Sequence, residues 1–312
     1  MNSLLQLIPE YRDYMWGGQR LRPGTLTAEG WIVYEGDRIA NGSLQGQTLA
    51  EAAHELGAAL LGENPARRTG LRFPLLIKIL DCHDWLSVQV HPNDEQARQL
   101  AGPDQFGKTE AWHILEAASG AQLIAGVREG TTAEALAAAI RNGTIVDHAQ
   151  YHTARTGDTI FMPAGTVHAL GPGFLVYEVQ QTSDITYRIF DWNRPANAGR
   201  ALHIEQAVAV TNPQGTGRIQ PAGDLQPDDR RSLVQCPYFT LDLLTAQSQP
   251  LLLDTRGESF HAITVIEGQG AIGCGEERIT LNRFETVLVA AQAGAYQLHP
   301  IESLRALKAS AG

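Results

Sequence analysis

Three short stretches carry side chains that can do chemistry. In Leu86-Ser87-Val88-Gln89-Val90-His91, strand geometry sends Leu86, Val88 and Val90 to one face and Ser87, Gln89 and His91 to the other. That second face presents an amide oxygen and an imidazole one pleat repeat apart, and Pro92-Asn93-Asp94 then ends the strand. Taken alone, such a Gln-x-His is the solvated face of a half-buried strand. The second stretch, Gly157 to His168, reads G-x5-P-x-G-x2-H. Gly157-Asp158 makes a tight turn, Thr159 to Met162 a strand and Pro163 to Gly165 a second turn, which delivers His168 to the next strand on the same interior as His91. The third is Gly107-Lys108-Thr109-Glu110-Ala111-Trp112, where a strand opening at Glu110 and running to Leu115 turns the carboxylate toward Gln89 and His91. Two imidazoles, a carboxylate and an amide oxygen on adjacent inward faces are the donor set of a divalent-metal site. With no thiolate the set suits Zn²⁺, and Fe²⁺ and Mn²⁺ accept it too. A position left open for water or a substrate oxygen is the mark of a catalytic site.

The elements that must hold these residues are mostly strands. Short alternating or β-rich runs recur at 75–82, 86–91, 111–115, 122–127, 159–162, 174–180 and 185–192, then at 239–244, 261–267, 277–281 and 286–290. Turn residues separate them, the rhythm of a sandwich or barrel. Helical signals fall in insertions at about 45–62 and 130–150: Thr48 with Glu51, and Thr131 with Glu134, have capping-box spacing, and Asn142-Gly143 is a stop. Asn93 or Asp94 can cap a short helix through Leu100. These helices do not alternate regularly with strands, so a doubly wound parallel sheet is not expected. A polar Pro/Gly/Asp-rich stretch at 212–228 reads as a linker between a 1–211 domain and a 229–312 domain.

The chain has 312 residues, 34 acidic against 24 basic, and a net charge of -10, which argues against a nucleic-acid or membrane-surface binder. Its 43% hydrophobic and 19% charged residues are those of a globular protein. No apolar run reaches the roughly 18 residues needed to span a bilayer. Cys82, Cys236 and Cys274 form no CxxC pair, and Met1 to Glu10 lacks a leader pattern, so a soluble cytoplasmic protein is expected.

Here the motifs meet a family. The G-x5-P-x-G-x2-H pattern resembles the second motif of cupin barrels. More widely, Trp16-Gly17-Gly18, Glu29-Gly30-Trp31, Phe73 to Asp94, Gly107 to Trp112 and Gly157 to Arg194 resemble the short bacterial form of the type I phosphomannose isomerases. The resemblance implies a mainly β fold of two cupin-type jelly-roll barrels with short helical insertions. It implies one zinc ion per chain, held by Gln89, His91, Glu110 and His168. It also implies interconversion of mannose 6-phosphate and fructose 6-phosphate, with Arg188 as catalytic arginine and Trp16 beside the substrate. Asp184, Thr186 and Arg188 would share one strand face. Lys108, Asp184 or a metal-bound water can shuttle the proton, and Lys108 or Arg188 can serve the phosphate. From Phe260 to Leu298 the barrel rhythm returns, yet Gly294-Ala295-Tyr296 stands where a metal histidine would follow the turn, so that half is expected to be a degenerate, metal-free barrel. The rival readings are an Fe(II) cupin oxygenase and a sugar-phosphate-binding paralogue without turnover.

Overall fold

The computed structural model describes residues 3–194 and 200–312. It is mainly β, and the paired strands are antiparallel. This is the cupin-type architecture expected from the motifs. The chain divides into two compact units, one of residues 11–30 and 79–222, the other of 1–10, 31–78 and 223–312.

In the first unit, strands Arg218–Gln220, Thr159–Met162, Glu110–Ala117 and Phe174–Gln181 lie side by side in one sheet. A second sheet has the order Tyr187–Phe190, Val88–Val90, His168–Leu170, Gln122–Val127 and Ala149–Thr153. Trp112, Ile160 and Val176 from the first sheet pack with Leu123, Ala125 and Leu170 from the second. The other face of the second sheet is apolar as well. Val88, Val90, Ile124 and Ile189 pack there with Leu136 and Ile140 of helix Ala133–Asn142 and with Ala207 and Val210 of helix Ile204–Val210. With its outer face covered, the sheet has only its inner face left for polar residues. The Ala133–Asn142 helix is capped by Thr132, whose hydroxyl accepts from Ala135 N at 3.2 Å, rather than by the expected Thr131, which donates to Arg128 O. It stops at Gly143, at φ 72°.

In the other unit, seven strands run in the order Asp229–Gln235, Phe239–Ala246, Leu304–Ala311, His261–Glu267, Thr286–Val289, Leu4–Ile8 and Arg38–Ile39. A four-stranded sheet has the order Leu251–Asp254, Ala295–Pro300, Gly270–Cys274 and Glu277–Leu281. Their core includes Leu4, Ile263, Val287, Ile272 and Leu298. Thr48 and Glu51 form the expected capping box, here on helix Leu49–Leu56.

The division differs from the boundaries drawn on the sequence. Residues 1–10 and 31–78 group with the C-terminal segment, because Leu4–Ile8 pairs with Thr286–Val289 and buries Leu4 and Leu5 completely. Nor is 212–228 a bare linker, since Arg218–Gln220 pairs with Thr159–Met162.

Candidate metal and sugar-phosphate site

The antiparallel register of the second sheet puts His168 opposite Gln89, and Gln89 opposite Arg188. Directly paired residues point to the same face, so these three side chains form a row across it. His91 follows the Val88–Val90 strand. Glu110 arrives from the other sheet as the first residue of its strand, flanked in register by Met162 and Gln180. The P-x-G turn of the histidine motif joins the pieces: Gly165, at φ +83°, donates its N–H to His91 O at 2.8 Å. A left-handed residue is required there, which is why glycine stands at that position.

His91, Glu110 and His168 are each 1% exposed or less, and their ligating atoms all lie within 4.8 Å of one another. Among the described residues this is the one cluster of three or more such groups. Each imidazole uses Nδ1 on a backbone carbonyl, His91 on Ile185 O and His168 on Thr166 O, both at 2.8 Å. That fixes the tautomer with the proton on Nδ1 and leaves both Nε2 lone pairs aimed inward. Burial pushes the His91 imidazole down to about 3 and lowers His168, so both are neutral, the ligating form. Burial alone would raise the Glu110 carboxyl, but the Lys108 ammonium beside it outweighs burial and holds it well below the usual range.

These residues fit a divalent ion. The two Nε2 atoms are 3.1 Å apart, and they lie 3.2 and 3.4 Å from the Glu110 oxygens. Metal–ligand bonds of about 2.0–2.1 Å in a tetrahedron require ligand separations of roughly 3.3 Å. Glu110 Oε1 is buried without a hydrogen-bond donor, and Oε2 is met by the Lys108 ammonium. Lys108 Nζ sits 2.8 Å from Glu110 Oε2 and 3.0 Å from His91 Nε2. Gln89 reaches the same cluster through its amide nitrogen, 3.3 Å from His168 Nε2, while its Oε1, the atom expected to ligate, accepts from Ser87 Oγ at 3.3 Å.

Further along the row the face is cationic. Arg188 Nε and Arg200 Nη2 both donate to Ser87 Oγ, at 3.2 and 3.1 Å. Burial lowers both arginines, and the like charge of Arg188 lowers Arg200 further. Arg194 is committed to Asp191 and Asp84, and Asp191 Oδ1 also lies 3.5 Å from Arg200 Nη1. Ser87 was visible in the sequence as the third member of the Gln89–His91 face. Arg200 was not, because it lies twelve positions past Arg188 with no local pattern to mark it.

Two sequence expectations come out differently. Asp184 is exposed in the irregular segment 183–186, and the strand begins only at Tyr187, so Asp184 and Arg188 do not share a strand face. Trp16 is 3% exposed and packs in the core with Trp112 and Leu80, stacked on Tyr14.

A family model described as phosphomannose isomerase type I, catalytic domain, matches residues 4–111. A mannose-6-phosphate isomerase of Streptococcus mutans is 34% identical over 93% of this chain and 93% of its own length. The chain belongs to the phosphomannose isomerase family. A second member of the family, from Bacillus subtilis, is 33% identical over 93% of this chain and 94% of its own. The crystal structure of a B. subtilis mannose 6-phosphate isomerase superposes with a TM-score of 0.87 at 28% identity, covering 99% of both chains. A putative mannosephosphate isomerase from Archaeoglobus fulgidus shares the phosphomannose isomerase fold at a TM-score of 0.78 and 20% identity, covering 99% of this chain and 97% of that one.

Proposed function

We propose that this chain is an aldose–ketose isomerase that interconverts mannose 6-phosphate and fructose 6-phosphate by moving a proton between C1 and C2. One observation carries the reading: a buried pair of Nε2 lone pairs and a carboxylate, spaced for one divalent ion, stands at one end of a row that ends on two arginines sharing Ser87. Neighbouring strands are about 4.8 Å apart, which sets His168 and Arg188 at roughly twice that distance. An open-chain six-carbon sugar phosphate spans such a gap with its carbonyl end at the histidines and its phosphate at the arginines.

His91, Glu110 and His168, with Gln89 as fourth ligand, would hold the ion, and the borderline nitrogen and oxygen donors favour zinc. When bound, the ion supplies Lewis-acid stabilisation to the negative charge that develops on the C1 and C2 oxygens. The chain's own residues do the rest. Lys108, whose Nζ lies within 3.0 Å of both His91 and Glu110, stands where a proton must be taken up and returned. Arg188 and Arg200 clamp the phosphate with Ser87 as a neutral donor, and two fixed guanidiniums attract a dianion despite the overall charge of -10. We therefore assign Arg188 to the phosphate rather than to the reacting carbons. No helix among the described residues is long and apolar enough to cross a membrane. The free cysteines Cys82, Cys236 and Cys274 suit a reducing, cytoplasmic setting.

A coupled assay for fructose 6-phosphate formation, run before and after chelation and again after zinc is restored, tests this. The expected result is turnover that disappears with the metal and returns with zinc. Oxygen uptake without isomerisation would favour the oxygenase reading, and tight sugar-phosphate binding without turnover the non-catalytic one.

A further inference from the structure

The segment carrying Lys108 and Glu110 is held by side chains that neither touch the metal triad nor belong to the reaction. Three consecutive amides are each tied down. Gly107 N donates to Asp94 Oδ1 at 2.8 Å, Lys108 N to Pro92 O at 2.9 Å, and Thr109 N to Gln181 Oε1 at 2.9 Å. Gln181 closes the circuit, because its Nε2 donates to the same Asp94 Oδ1 at 2.9 Å and its backbone N to Thr109 O at 3.2 Å. Gln181 is 5% exposed, so the bond it accepts from Thr109 is shielded from water, while Asp94 is partly exposed. The fit is close: a Cβ on Gly107 would lie 2.5 Å from Asn93 C. The Gln181 amide accepts from Thr109 with its oxygen and donates to Asp94 with its nitrogen, a pairing that neither leucine nor an ionised glutamate can reproduce.

We propose that Asp94 and Gln181 are positioning residues that hold residues 107–109 so that Lys108 Nζ and the Glu110 carboxylate meet at the two histidines. The inference rests on the isomerase reading for its effect on turnover, but its effect on the metal site stands apart. Outer partners of metal ligands typically contribute 10–100-fold in affinity or activity. Because both donors use Asp94 Oδ1, the carboxamide of an Asp94→Asn variant offers the same acceptor, and the negative charge is not required.

The test compares wild type, Gln181→Leu, Asp94→Ala and Asp94→Asn as full chains, with zinc affinity read by competition against a fluorescent chelator and kcat and KM read with mannose 6-phosphate. For Gln181→Leu and Asp94→Ala, zinc affinity is expected to weaken and kcat to fall, each about 10-fold or more, with KM changed by less than about threefold. Asp94→Asn is expected to return both to within about threefold of wild type. Should Gln181→Leu not fold, Gln181→Glu keeps the acceptor for Thr109 but sets a carboxylate against Asp94, and the same loss of zinc affinity is expected. Wild-type zinc affinity and kcat in Gln181→Leu and Asp94→Ala, or an Asp94→Asn as impaired as Asp94→Ala, would overturn the clamp. A wild type that binds zinc but does not isomerise would overturn the isomerase reading instead, while the zinc affinities still decide the clamp.

Discussion

His91 and His168 each commit one ring nitrogen to a backbone carbonyl, which leaves the other turned toward Glu110, the arrangement expected of metal ligands. His168→Ala removes one of three buried donors, and elemental analysis should then show near-complete loss of divalent metal from a folded protein. Stoichiometric metal in that variant would remove the basis of the site. The arginines call for a different measurement. Hydrogen bonds to a charged group contribute about 1.5–3 kcal/mol, so Arg200→Ala and Arg188→Ala should each raise KM for mannose 6-phosphate roughly 10- to 100-fold. Turnover of unphosphorylated mannose should change little in both variants. If kcat falls instead and KM holds, Arg188 acts at the reacting carbons.

At the scale of elements, the five-stranded sheet can offer a polar inner face because two helices take up its apolar outer one. Leu136 and Ile140 of helix Ala133–Asn142 are 2% and 1% exposed against that sheet. Leu136→Ala should cost about 2–5 kcal/mol, read as a lower denaturation midpoint at unchanged m-value. The position of this helix was legible from its alanine-rich run and Gly143 stop. Its cap was one residue out, because Thr131 and Thr132 carry the same hydroxyl and only the backbone direction at the turn decides which one faces the helix. The packing partner was not legible at all, since a helix's apolar stripe does not say which sheet it will meet.

For the whole molecule, the other unit carries its own buried histidine. His261 shares a 2.8 Å hydrogen bond with Tyr296 OH, and burial, helped by Lys308, pushes its imidazole down to about 3. The unfolded chain titrates near 6.5. Because the folded-state value lies below the unfolded one, neutral His261 adds stability that is fully present above about pH 6.5 and is lost as pH falls toward 3. His261→Gln, which keeps a polar partner for Tyr296 but cannot titrate, should flatten the fall of unfolding free energy between about pH 6 and 4 by up to about 1.4 kcal/mol per unit. An identical slope in both proteins would mean that His261 is protonated in the fold.

The sequence by itself marked the candidate donors. Gln89 and His91 alternate on one strand face, Gly157 to His168 encodes strand, turn and histidine in twelve consecutive residues, and Glu110 opens its strand, so motif spacing together with local periodicity singled out the three groups that the fold clusters, His91, Glu110 and His168. It also determined the β-rich character, because period-2 alternation and turn residues act over a few positions. Only the tertiary structure decided what depends on distant pairing. It placed Arg200 beside Ser87, left Asp184 in a connection short of the strand, and put Trp16 in the core. It joined the Leu4–Ile8 strand to Thr286–Val289 across most of the chain. The physical reason is the same in each case. Strand register and burial are settled by partners far away in sequence, and no local pattern records which partner a strand or side chain will find.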